Sequence, residues 1–477
     1  MRRIYKGLNV LAIAAALSMS GCSDFLETNP SIDVSDEVLF ESVDGVQTAL
    51  NGLYRYVRNS NADVEANGIV SYQYGFDAAA QDIIVHESMG YLQNYYGHHL
   101  DPTRADGGLT SGYWRYFYTV ISNANIILAN MDDAVGDEMV KEHIRGQALA
   151  LRGWAYFYLV RAYQQTYAIA KDQPGVPYYD TPGAEGKPRE SVETIYGHIL
   201  DDLTQAVSLL DGYGREYKSQ INQSVANGIL AEVYLTMENW EQAAATAKLA
   251  RAGFPLMTAE EFQSGFNDWE LDEWMWGISQ TDDQNLGNTS PFTLWANQTR
   301  GDRWTYDFYF VNDKFKEMFA EDDVRNQFWL REDRNLWTSD KFRDNEIFRG
   351  SVVFMRAAEM YLIEAEAEAR LGNDGAAKEA LWAVQDARNA ARVQSTGDAL
   401  VADILIERRK ELYGEGMAWW DMIRNQQAMN RQGDHPRKPD MPARSWSFIL
   451  QIPTGEFNAN PALTTADQNP YTGVYQP

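Results

Sequence analysis

Residues 404–424, ILIERRKELYGEGMAWWDMIR, constrain the fold more tightly than any other stretch of the chain. Ile404, Arg408, Leu412 and Glu415 follow one face at helical spacing, so apolar and charged side chains share a stripe. Glu407 and Glu411 lie one turn apart with like charge, which costs roughly a few tenths of a kcal/mol if uncompensated. Arg408, Arg409 and Lys410, with arginines elsewhere, are the expected compensation. Gly414 and Gly416 then interrupt the helix, and Trp419 and Trp420 stand beside Asp421 on a short second helix. A buried ion pair adds little net stability, but an orphaned partner is costly, so such charges select one packing. The stretch therefore reads as a packed junction, with Arg408 and Glu411 structural rather than contacts for a ligand.

At 477 residues the chain exceeds the roughly 250–300 residues at which a single core stops growing, so two sub-regions are expected. A formal charge of −27 sets a polyanionic nucleic acid aside as a partner. Arg2, Arg3 and Lys6 precede an apolar run over residues 8–17 that is too short to span a bilayer. The run leads to Met19-Ser20-Gly21-Cys22, and Cys22 is the only cysteine, so it can make no internal disulfide. A plain cleavable signal is one reading. The arrangement also resembles a bacterial lipoprotein signal, which implies removal of residues 1–21 and acylation of Cys22. Buried acyl methylenes contribute about 0.8 kcal/mol each, and two chains anchor stably. Asp24 and Glu27 resemble the acidic export signal of surface lipoproteins.

Helical periodicity dominates the rest. Val46, Leu50, Leu53 and Val57 line one face, and Trp114, Phe117, Ile121, Ala124, Leu128 and Met131 another. Ile144, Ala148, Leu151, Ala155 and Leu159 mark a long helix ending near residues 173–177. Ser191 is positioned to cap the helix that follows. Residues 230–244 and 361–381 each read as a helix, a short turn and an alanine-rich helix, as in tetratricopeptide units, where alanine lets paired helices approach closely. The fold class is mostly α: a scaffold of helix pairs with a long irregular region.

That irregular region lies between a helix ending near Ala252 and one expected to start near Ser351. Half of the fourteen tryptophans fall in it: Trp269, Trp274, Trp276, Trp295, Trp304, Trp329 and Trp337. Residues 86–112 are similar, with Tyr91, Tyr95, Tyr96, His98 and His99 among glycines and polar residues. Sugar rings lay their C–H faces on indole or phenol rings, while Asp, Asn and Arg bind the hydroxyls. Trp295, Asn297, Arg300, Asp302 and Trp304 put both types within one short stretch, with Tyr95 and Tyr96 as further candidates. Trp274 and Trp276, beside Ile278, read as core.

Catalytic chemistry finds less support. The histidines show no metal-ligand spacing, and no G-x-S-x-G, Walker or dinucleotide-binding pattern occurs. With 68 acids, adjacent carboxylates are expected by chance and define no glycosidase dyad. The acid count allows a structural calcium without placing one; no other cofactor is expected.

The run E-R-R-x-E-L, E-G, W, D, R over residues 407–424 resembles the C-terminal signature of the SusD/RagB family of outer-membrane nutrient-binding lipoproteins. Gly414 and Ala418 stand where that signature usually has phenylalanine and arginine. Residues 146–163 (GQALALRGWAYFYLVRAY), 351–367 (SVVFMRAAEMYLIEAEA) and the tail from Gln451-Ile452-Pro453 to Gln468-Asn469-Pro470 resemble further family motifs in order. The resemblance implies a SusD-like α/α superhelix of tetratricopeptide-like pairs, divided into residues 22–235 and 236–477, with the ligand-binding segment at 254–350. It also implies a non-catalytic, surface-anchored protein that holds an oligosaccharide or polysaccharide as the lid of a SusC-like TonB-dependent transporter barrel. An all-α glycoside hydrolase or polysaccharide lyase, and a RagB-like peptide binder, are the alternatives. Cys22→Ala is expected to leave a folded protein that no longer partitions with the outer membrane. Metabolic labelling with a palmitate analogue checks this, and unchanged labelling of the variant refutes acylation at Cys22.

Overall fold

The computed structural model describes residues 39–58, 68–86, 92–97, 105, 108–279, 291–295, 309–344 and 350–476. The apolar stripes form helices: α1 (Val43–Arg58), α2 (Gly68–Ala79), α3 (Gly108–Asn130) and α4 (Glu138–Tyr163). Val46, Leu50, Leu53 and Val57 bury one side of α1, whereas every residue of α2 is buried. Asp137 caps α4 by accepting from Met139 N and Val140 N. That helix stops at Tyr163, earlier than the sequence suggests. The following segment instead forms β2 (Pro174–Pro177), paired antiparallel with β3 (Arg189–Ser191). Ser191 caps α5 (Val192–Leu209) as expected, accepting from Thr194 N at 3.1 Å.

The alanine-rich pairs are α6 (Gln223–Thr236) with α7 (Trp240–Ala250), and α8 (Ala357–Arg370) with α9 (Asp374–Ala387). Although remote in sequence, they are neighbours in space, because α7 packs directly on α8. Ala243, Ala244, Ala247 and Ala250 are the buried face of α7, and small side chains allow that close approach. Arg251 clips the pair by donating to Glu364 at 2.9 and 2.7 Å. The stack runs α4–α5, α6–α7, α8–α9 and ends on α10 (Asp398–Leu412), which packs against α8.

Between α7 and α8 the chain leaves the stack and forms strands. β4 (Trp274–Ile278) pairs antiparallel with β8 (Val352–Arg356). The helix expected near Ser351 thus begins only at Ala357: β-branched Val352 and Val353, followed by Phe354, suit a pleated surface better than a helix. A second sheet has the order β1 (Ile83–Val85), β5 (Tyr309–Val311), β7 (Leu336–Ser339), β6 (Phe328–Arg331). Trp274 and Trp276 are buried, as their neighbours suggested.

Around Glu411 the excursion is bolted to the stack. Glu411 accepts from Arg325 Nη1 at 3.0 Å, Arg356 Nη1 at 2.6 Å and Arg388 Nε at 3.0 Å. Glu273 accepts from Arg356 at 2.7 Å and Arg388 at 2.9 Å, and Glu415 from Arg356 at 2.7 Å and Lys341 at 2.6 Å. All of these side chains are buried. Burial alone would raise Glu411, but the guanidiniums of Arg388, Arg356 and Arg325 hold its carboxyl well below the usual range. Arg408 bridges Glu359 at 3.0 Å and Asp421 at 2.8 Å, tying α10 to α8 and to α11 (Ala418–Arg424).

Gly414 and Gly416 both adopt left-handed backbone, with φ +77° and +86°. A side chain at Gly414 would collide with Phe342, and one at Gly416 with the Gln73 backbone. The turn is held by Asp77, whose carboxylate accepts from Gly416 N at 2.9 Å and Ala418 N at 3.2 Å.

Glu411→Ala leaves three buried arginines short of a partner and is expected to cost about 3–5 kcal/mol, read by thermal and denaturant melts. A normal melt with lost ligand binding would reverse the structural assignment. Burial pushes Asp77 up to about 7 from 3.8, against its two backbone hydrogen bonds. The folded state therefore holds the extra proton across that window, so this group's stabilisation is complete below its unfolded value and is lost as pH rises through about 7. Denaturant midpoints of Asp77→Asn should lack that falling slope; an unchanged slope assigns it elsewhere.

Candidate ligand-binding site

In the four-stranded sheet, Val85 lies opposite Tyr309, Val311 opposite Trp337, and Phe328 opposite Ser339. Because every pairing is antiparallel, the end of β1, the start of β5, the end of β7 and the start of β6 share one edge of the sheet. Residue 86 follows β1 and residue 308 precedes β5. Both aromatic-rich stretches that the sequence singles out are therefore attached side by side.

The individual rings need correcting. Trp295 is 0% exposed. Its indole stacks on Phe342 with 5.3 Å between centroids and meets Tyr309 edge-on at 5.5 Å. Buried Phe292 and Leu294 precede it, so the segment turns inward, and Trp295 is core rather than a sugar platform. Tyr95 and Tyr96 are also buried. Tyr95 packs edge-on against Phe76. Tyr96 stacks on His435 at 5.4 Å, and the guanidiniums of Arg431 and Arg437 lie 4.7 and 4.9 Å from its centroid. Its hydroxyl meets His435 Nδ1 at 3.2 Å. Burial and neighbouring Arg431 push His435 down to about 3, so the imidazole is neutral. The helix Gln93–Tyr96 is one turn long, too short to show an apolar stripe, which is why the two tyrosines stand out in the sequence as candidates for ligand contact. Asn297, Arg300, Asp302 and Trp304 lie outside the described residues, as does Cys22.

What the structure does bring to this end of the sheet is Trp329, half-buried on edge strand β6. Its Nε1 donates to Asp340 Oδ1 at 3.2 Å, and the Arg331 guanidinium sits 6.0 Å from its ring. Asp333 holds Arg331 through two bonds of 2.9 Å. A partly open ring face beside a carboxylate offers what a hydroxyl-rich ligand needs, while Arg331 is itself buried and held by Asp333. Two short runs that begin on apolar and aromatic residues, Phe328–Arg331 and Leu336–Ser339, on either side of the polar turn 332–335 were the available signal for this hairpin. A cleft of about 240 Å³ lies between α10 and α11, bounded by Asp82 just before β1, with Leu405, Ile406, Met417 and Met422 beside charged Arg408, Arg409 and Asp421 in its walls. Among the described residues, no group of three His, Cys, Asp or Glu could hold a metal ion, and no helix is long and apolar enough to cross a membrane.

A stack of helix pairs carrying a loop-bearing sheet is the architecture of the SusD superfamily. A SusD-like carbohydrate-binding protein from Bacteroides vulgatus ATCC 8482 superposes with TM-score 0.81 at 30% identity, over 89% of this chain and 98% of that one. A laminarin-binding SusD-like protein superposes with TM-score 0.71 at 21% identity, over 90% and 99%. Residues 24–235 match a family described as starch-binding associating with outer membrane, and residues 336–471 match the SusD family. The chain belongs to the SusD/RagB family. A SusD-like protein of Formosa agariphila is 24% identical over 243 residues, 49% of this chain and 43% of that protein. In three such curated relatives, the matched region spans about half of their length or less.

Trp295→Ala opens a cavity in the core and is expected to cost about 3–5 kcal/mol, seen as a lowered melting temperature. A normal melt would put the ring back on the surface.

Proposed function

We propose that the protein captures oligosaccharide or polysaccharide at the loop-bearing end of its four-stranded sheet and performs no chemistry on it. The observation that carries the reading is the strand register, which brings the attachment points of both aromatic-rich stretches, at β1 and β5, to the end of the sheet from which β6 and Trp329 start, in a chain of the SusD/RagB family. Trp329 with Asp340 supplies one platform, and Trp304, Asn297, Arg300 and Asp302, in the segment that leads into β5, supply the further ring and polar groups. Two or three rings at roughly 1–2 kcal/mol each contribute about 2–6 kcal/mol before ordering costs, so binding of about millimolar strength is expected. Such binding suits capture followed by release. The chain would act at the cell surface, held by lipid on Cys22, as the lid of a SusC-like TonB-dependent transporter barrel.

Calorimetry against a polysaccharide panel tests the site. Trp304→Ala and Trp329→Ala should each weaken binding about tenfold, or ~1.4 kcal/mol, and Trp329→Ala should do so with little change in the melt, since a half-buried ring leaves little cavity behind. Normal binding by both variants would move the site. Reducing ends released by the pure protein would make it a hydrolase or lyase, and retention of peptides alone would make it a peptide binder.

A further inference from the structure

The connection between α5 and α6 carries an aromatic pair that the sheet site does not use. Tyr217 is 48% exposed. Its ring lies 17° from parallel with the half-buried Trp269 indole, 6.3 Å between centroids. The two residues come from separate segments that hydrogen bonds lock together. Gln220 Oε1 accepts from the backbone N–H groups of Glu216 and Tyr217 at 3.0 and 3.2 Å. Lys218 Nζ donates to the Leu271 carbonyl at 2.8 Å, and Gly277 N donates to the Lys218 carbonyl at 3.3 Å. Trp276 Nε1, on buried β4, donates to the Ser219 carbonyl at 3.0 Å. The turn that presents Tyr217 therefore hangs from the core. A ring fixed in this way loses little conformational freedom when a ligand arrives.

The surroundings select the ligand. Glu216, Asp268, Glu270 and Asp272 are exposed around the pair. Of the two nearby cations, Arg215 Nη1 donates to the Lys218 and Gln220 carbonyls, and Lys218 donates to Leu271 while its charge faces Glu270, Asp272 and Asp268, so four carboxylates outnumber two cations here. What the pair offers a ligand is an exposed tyrosine ring backed by an indole, with an excess of exposed carboxylates beside it that accept hydroxyl protons and repel anions.

We propose that Tyr217 and Trp269 form a second glycan platform that takes a neutral hexose unit, its C–H face on the rings and its hydroxyls donating to the surrounding carboxylates. The proposal rests on the glycan-binding reading above and adds a separate surface to it. A polymer long enough to touch both surfaces gains in retention from the second contact.

Calorimetric titration with a panel of neutral hexaoses (laminari-, cello-, malto- and manno-) and with an oligogalacturonate as the anionic comparison decides it. The wild-type protein is expected to bind the best neutral hexaose at two sites per chain. Tyr217→Ala should abolish one of them and weaken retention of the matching long polymer about tenfold, with an unchanged melt, because an exposed ring leaves no cavity. Trp329→Ala should abolish the other, so failures of the two sites are read separately. A single site in the wild-type protein that Trp329→Ala removes, or two sites persisting in Tyr217→Ala, overturns the platform alone. Oligogalacturonate binding as well as the neutral hexaoses, and lost in Tyr217→Ala, overturns the neutral-hexose assignment. No binding of any probe overturns both readings.

Discussion

The structure depends on the carboxylate of Glu411 being surrounded by Arg325, Arg356 and Arg388. These arginines come from the excursion between α7 and α8, from the end of β8 and from the end of α9, so one side chain gathers three separate parts of the chain. Removing charges from water is expensive, and replacing such a cluster by apolar residues of similar volume is often neutral or stabilising. Its contribution here is selection of arrangement. Any other packing of the excursion against α10 strands a buried guanidinium or carboxylate, at several kcal/mol each. Lys341 shows the same constraint in reverse. Burial pushes its ammonium down to about 8, and it stays in place because Glu415 and the carbonyls of Glu411 and Tyr413 all accept from it.

This junction explains how an irregular excursion can carry a binding surface. Loops position ligands well only when their ends are fixed by a rigid scaffold. The helix stack supplies that scaffold, and the ion pairs transmit its rigidity through β8 and residues 323–325 to the sheet beside them. Trp295, Phe342 and Tyr413 fill the space beneath. Gly414 leaves room for Phe342 and Trp295 at the place where the family signature usually carries a phenylalanine of its own. The ring is thus supplied from the excursion instead of from the junction helix.

Much of the scaffold was legible in the chain. The cap at Ser191, the two glycines after Leu412 and the alanine faces of the helix pairs are local signals, and each appears where its chemistry predicts. The stacking of α7 on α8 was not legible, since it joins helices separated by the whole excursion. The strands were missed for a related reason. Three- to five-residue strands buried by distant partners carry too little alternation of their own, and Val352–Arg356 reads equally well as the start of the helix that follows it.

The sequence by itself determined the helical scaffold, the family and the packed character of residues 404–424, because helical periodicity and charge placement on one stripe are properties of neighbours along the chain. Only the tertiary structure decided which aromatic rings are available to a ligand. Trp295 and Tyr217 both lie outside any helical stripe on irregular segments, yet one is sealed against Phe342 and Tyr309 and the other stands half open beside Trp269. Burial is set by whatever the fold brings against a side chain from elsewhere, Phe342 and Tyr413 in the first case and one indole in the second. No window of local sequence contains that information.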